Sequence, residues 1–114
     1  MSVPAQTWLW IAQRASAAVL ALAVSVHLVT VIYAVRGGLT AADIIARLQG
    51  NVAWFGFYSV FVLAAAVHAP IGVRTILAES LPRAPRLADA AGGVLMIVIL
   101  AGGFRAVLGL YGAG

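Results

Sequence analysis

The chemistry available to this chain is concentrated between Ala64 and Glu79, in the stretch AAAVHAPIGVRTILAE. One histidine, His68, stands in the middle of an apolar run; Gly72 follows four residues on, and Arg74 two beyond that. At about 100° per residue, His68 and Gly72 share a helical face one turn apart, with small Ala64 and Ala65 on the turn before. A ring nitrogen there has room beside it for something flat and bulky. An imidazole at membrane depth is costly unless it is bound to something, which makes His68 a functional-site candidate. These residue types suit an axial ligand to a haem iron, with cations at hand for the carboxylates of the macrocycle. A hydrogen-bonded packing histidine is the competing reading.

The elements that must position this stretch follow from composition. The chain has 114 residues, 64% of them hydrophobic, with seven basic and three acidic side chains. A soluble domain of this length cannot hide so much apolar surface, and charged residues usually make up about a quarter of such domains. The reading is a membrane protein with no room for a soluble catalytic domain. Cysteine is absent, which excludes an iron–sulfur cluster, a thiolate-ligated haem, a disulfide and a cysteine nucleophile within the chain. All seven basic residues are arginine and the net charge is +4. They are scattered at the ends of apolar runs, as snorkelling anchors are, which argues against a nucleic-acid partner.

The charge-free run from Ala15 to Val35 is long enough to cross a core about 30 Å thick. A cleaved signal peptide is the competitor, with Ala21-Leu22-Ala23 a faint cleavage site, but no positive charge precedes Arg14 and the apolar run continues past the supposed cut. Trp8 and Trp10 suit its interfacial start, and Gly37-Gly38 ends it. Thr40 to Leu48 reads as a short amphipathic helix in the interface plane, with Asp43 in a capping-box-like position. A second span starts at Asn51 to Trp54, carries Trp54, Phe55, Phe57, Tyr58 and Phe61 early, and contains Pro70, where a kink is expected. Ser80 to Arg86 is a connector. A third span follows, whose pairs Gly92-Gly93 and Gly102-Gly103 suggest close helix approach. The sequence therefore predicts one all-α membrane domain over 1–114 with spans at about 8–36, 52–79 and 87–111. Arg14, Arg74, Arg83 and Arg86 lie on one side against Arg36, Arg47 and Arg105 on the other, a vote for a cytoplasmic N-terminus.

Depth sharpens the site. Arg14 and Arg74 both fall about 16–17 Å from the midplane on the same side, and His68 about 8 Å from it on that side, at ~1.5 Å per residue. An imidazole within the hydrocarbon thus has two guanidinium groups one to two turns beneath it, at the water boundary. His27 lies roughly 3 Å past the midplane the other way, so the two histidines differ in depth by about 11 Å. They do not suit one upright haem. His68 would pair with a histidine of another chain, and His27 is open to two readings, ligand of a second, more distal haem or packing residue. Ser16 shares a face with Leu20, Ala23 and His27; a back-bonded helix serine is its plain role.

Gln13-Arg14-Ala15-Ser16 opening a first membrane helix, with His68-x-x-x-Gly72-x-Arg74-x-x-x-x-Glu79 closing a second, resembles the small three-helix cytochrome b anchor subunits of succinate dehydrogenase (succinate:quinone oxidoreductase, or fumarate reductase). The likeness covers nearly the whole chain. It implies His68 as the axial ligand of haem b, Arg14 and Ser16 as lining the quinone pocket, Arg14 also as a contact of the haem propionates, Arg74 as the motif arginine and Glu79 as the acidic residue ending the motif. Two departures stand out. One anchor type has a tyrosine after the acidic residue, where this chain has Ser80, and His27 falls outside the single-haem pattern and suits the two-haem variants.

The resemblance implies a multi-pass subunit of the bacterial cytoplasmic (inner) membrane that is no enzyme alone. It would dock flavoprotein and iron–sulfur subunits, work beside a second membrane anchor subunit, and host one haem b or two where quinone accepts electrons. The alternatives are a cytochrome b anchor of another membrane dehydrogenase, and a small transporter or structural membrane protein. A transporter should carry a carboxylate within a span, and Asp43, Glu79 and Asp89 all lie outside the deep regions.

Overall fold

The computed structural model describes residues 3–112, and over them the chain is four helices in sequence: α1 (Val3–Arg36), α2 (Ala41–Leu48), α3 (Val52–Ser80) and α4 (Pro85–Gly112). Three are long and apolar enough to cross a membrane. With α2 short and amphipathic between the first two, this is the expected architecture, a multi-pass all-α membrane protein. α1 begins five residues earlier than the aromatic belt suggested, since Pro4 is tolerated in a first turn. α4 likewise starts at Pro85, whose fixed φ suits a first helical position, so the connector shrinks to 81–84.

The turns are closed by local hydrogen bonds. Leu39 N–H donates to Ala34 O at 3.0 Å and Gly38 N–H to Val35 O at 3.2 Å, with Gly38 at φ 68°. This is a Schellman stop that needs a residue free to adopt positive φ. Thr40 and Asp43 form the reciprocal capping box, Asp43 N–H to Thr40 Oγ1 at 3.2 Å and Thr40 N–H to Asp43 Oδ2 at 2.9 Å. The Thr40 N–H holds the Asp43 carboxyl below the usual carboxylate range. Gly50 N–H then donates to Tyr111 O at 2.8 Å, tying the end of α2 to the end of α4.

α3 is the central helix, packed on α4 along one side and on α1 along the other. It runs unbroken through the expected kink at Pro70, which is buried. Among the described residues no large side chain is fully buried. That is the pattern of helices held by close approach of small residues, with large apolar side chains left for lipid or a partner. On the α4 side, a Cβ at Gly92 would meet Pro70 O at 3.3 Å and one at Gly103 would meet Val62 Cγ1 at 2.6 Å, whereas Gly93 and Gly102 face open space. Of each glycine pair, one member makes the contact.

Candidate functional site

The α1–α3 seam carries polar side chains along its length, whereas the α3–α4 seam is close-packed at Gly92 and Gly103 with one ion pair, Arg74–Asp89, near the connector. On α1 the former runs along Gln13, Ser16, Leu20, Ala23 and His27, spaced by threes and fours, with Ser16 and Ala23 the buried members. On α3 the matching stripe is Tyr58, Phe61, Ala65, His68 and Gly72 by the same spacing. Two contacts fix the antiparallel register. Gln13 Nε2 lies 3.5 Å from where a Gly72 Cβ would stand, and His27 Nδ1 shares a hydrogen bond with Tyr58 Oη at 3.1 Å. His68 lies on the stripe between them. The His27 ring also meets Tyr58 and Phe61 edge-on, at 5.8 and 5.9 Å between centroids. His68 is seven to ten residues beyond those rings, hence about 10–15 Å along the axis, in keeping with the depth gap read from the sequence.

The two imidazoles are satisfied differently. His27 is exposed on the helix surface but bonded. His68 is half-buried, and its Nδ1 is buried without a hydrogen-bond partner. Gln13 Oε1, one turn away across the seam, is also buried and unpartnered. Buried polar atoms in this state are uncommon, because each forgoes about 1–3 kcal/mol of solvation or hydrogen bonding. The third such atom, Ser59 Oγ, belongs to the other end of α3. Ser16 is back-bonded to its own helix, its hydroxyl donating to Gln13 O at 3.1 Å.

At the level of the Gln13–Gly72 contact lie the two expected arginines. Arg14 is exposed, with its guanidinium carbon 5.4 Å from the centroid of the Trp10 ring, a cation–π distance. Arg74 packs toward α4 instead, its Cβ 3.6 Å from a would-be Gly92 Cβ, and its Nε donates to Asp89 Oδ1 at 2.6 Å. Arg14 and Arg74 therefore share a level without sharing a partner. Glu79 is exposed at the end of α3. Asp89 was not among the sequence-level candidates, nor was the Tyr58 hydroxyl. A hairpin about Pro82 places residue 74 opposite 89 or 90, so the Arg74–Asp89 pair was findable by counting from the loop.

At the far end, a cavity of about 600 Å³ opens between α1, α2 and α3, lined by His27, Thr30, Tyr33, Arg47, Trp54 and Tyr58 among others. Its volume is that of a site for a drug-sized molecule. Among the described residues no cluster of three His, Cys, Asp or Glu side chains stands ready for a bare metal ion; an iron carried in a porphyrin needs only one or two imidazoles from protein.

Residues 1–110 match the family described as succinate dehydrogenase/fumarate reductase transmembrane subunit. No curated protein and no solved structure matches the chain.

Proposed function

The chain belongs to the succinate dehydrogenase/fumarate reductase transmembrane subunit family, and from that premise we propose that it is a haem b-binding anchor that passes electrons from an iron–sulfur subunit to membrane quinone. The observation that carries this reading is His68, an imidazole inside a membrane span with no hydrogen-bond partner at either ring nitrogen among the described residues, its Nδ1 buried.

The residues fit a haem. A ligating histidine offers one ring nitrogen to iron and gives its other N–H to an outer partner, which orients the ring. His68 Nε2, at the tip of the side chain, would be the atom offered to iron, and Nδ1 would then need an acceptor. Arg14 and Arg74 at the boundary would be the cations for propionates. Haem supplies one-electron transfer when bound, and the protein tunes it through the axial imidazole, the cations and burial. Arg14 and Ser16 would hydrogen-bond a quinone oxygen as negative charge develops on it. For Ser16 this requires its hydroxyl to leave Gln13 O, to which it now donates. Protons for the reduced quinone enter at this end, where the arginines meet water.

In this reading, flavoprotein and iron–sulfur subunits dock on the cytoplasmic end that carries Arg14, Arg74, Arg83 and Arg86. The chain would sit in a bacterial cytoplasmic membrane beside a second anchor subunit, and a histidine of another chain would help hold the haem. A second, more distal haem at His27 is favoured by one observation: the cavity beside an imidazole whose Nδ1 is already held by Tyr58. Haem per flavin in the intact complex distinguishes one haem from two.

The experiment is purification of the membrane complex, followed by a dithionite-reduced spectrum and an assay of succinate:quinone activity. A b-type band with co-purified flavin and that activity is the expected result. A colourless complex removes the haem reading. A coloured one with flavin absent, or with another dehydrogenase activity, makes the chain an anchor of different specificity.

A further inference from the structure

We infer that Asp89, on α4, is a positioning residue that holds Arg74 in place for a haem propionate, an inference that rests on the haem reading above. The starting observation is the 2.6 Å bond from Arg74 Nε to Asp89 Oδ1. A guanidinium is planar and presents its N–H groups along separate edges. Asp89 is engaged through the Nε edge. Among the described residues no other acceptor touches Arg74, so the outer edge, formed by its two terminal nitrogens, is open to a second carboxylate.

Arg74 Cβ lies against α4, 3.6 Å from where a Cβ at Gly92 would stand, and the side chain remains 34% exposed, so its outer edge is within reach of a ligand. Arg14 shows what is missing without such a clamp: it has an aromatic ring beside it and no carboxylate. An arginine that is already ordered loses less side-chain freedom when a propionate arrives, and that saving is what preorganisation contributes to binding. Asp89 is itself 62% exposed, so screening keeps the worth of the pair small. Its part in the site is to orient Arg74 more than to attract or repel the ligand.

That distinction gives opposite signs in one measurement. A carboxylate acting only as a nearby charge stabilises the oxidised haem, so its removal raises the midpoint potential. A carboxylate acting through Arg74 does the reverse: its removal loosens a cation from the propionate and lowers the potential, as removal of Arg74 itself does. The test uses the intact complex with Asp89→Asn, Asp89→Glu, Arg74→Gln and the Asn/Gln double variant. Each is followed by redox titration and by the rate of haem loss to a haem-scavenging globin.

Asp89→Asn is expected to lower the potential and speed haem loss about threefold, the size of an exposed ion pair. Asp89→Glu should keep both near wild type, and the double variant should match Arg74→Gln alone, as for two residues acting as one unit. A rise in potential on Asp89→Asn, effects that multiply in the double variant, or no change in either readout overturns the role of Asp89 while the haem reading stands. A wild-type complex without haem overturns both.

Discussion

The two sides of α3 are packed by different means. Toward α4 the contacts are made by what is missing: glycine at 92 and 103 lets the helices approach until Pro70 O and the Val62 methyls fill the space, with the partly exposed Arg74–Asp89 pair near the connector. Toward α1 the contacts are polar: Gln13 lies against Gly72, His27 bonds Tyr58, Ser16 is buried and back-bonded to Gln13 O, and His68 is left with a buried, unpartnered nitrogen. In lipid there is little hydrophobic drive between helices, so stability comes from close van der Waals packing. A seam that gives up close packing for polar atoms without partners is less stable than it could be. That pattern is what a binding site requires, and only the α1 side of α3 shows it.

The largest effect is expected on the close-packed side. Gly103→Ala places a methyl 2.6 Å from Val62 Cγ1, and the stiff β-branched neighbour cannot turn away easily, so about 1–3 kcal/mol of stability should be lost. Gly72→Ala is the control on the other side. Its new methyl meets Gln13 Nε2 at an ordinary 3.5 Å, and the change should be tolerated. Thermal unfolding in detergent compares them, and equal losses would erase the contrast.

Tyr58→Phe removes the hydroxyl bonded to His27 Nδ1 and should cost about 0.6–1 kcal/mol, the usual worth of an interhelical hydrogen bond in membrane proteins. His27→Phe should leave the absorption band of the His68 haem in place. Its disappearance would mean that the two ends of the seam are not separate sites. The smallest effect belongs to α2. The Asp43 carboxylate, held below its usual range by the Thr40 N–H, supports the cap while ionised. Its contribution is present at neutral pH and above the ordinary carboxylate range, and is lost as pH falls through its lowered value. Helicity of α2 followed by amide exchange should therefore be steady from pH 8 to about 5 and decline only below the ordinary Asp range of about 4.

Much of this was readable in the residues. Uninterrupted apolar runs gave three spans, and Thr40 with Asp43 gave the cap, because both signals are local. The common level of Arg14 and Arg74 followed from the helical rise alone. What escaped were pairings that depend on which faces meet. Gly92 could not be preferred to Gly93, nor Gly103 to Gly102, without knowing how α4 is rotated against α3. Asp89 looked like one more interfacial charge until α4 was set beside Arg74. Tyr58 was noted as one of an aromatic cluster, and only the register of α1 on α3 brings its hydroxyl to His27.

The central claim is that the unpartnered imidazole on the polar seam is an iron ligand. It is tested most directly by the reduced-minus-oxidised spectrum of the purified complex carrying His68→Ala, read beside its subunit composition. The account predicts that the subunits still assemble while the low-spin b-type band of the wild type is lost or greatly weakened. An assembled complex with an undiminished band would contradict it.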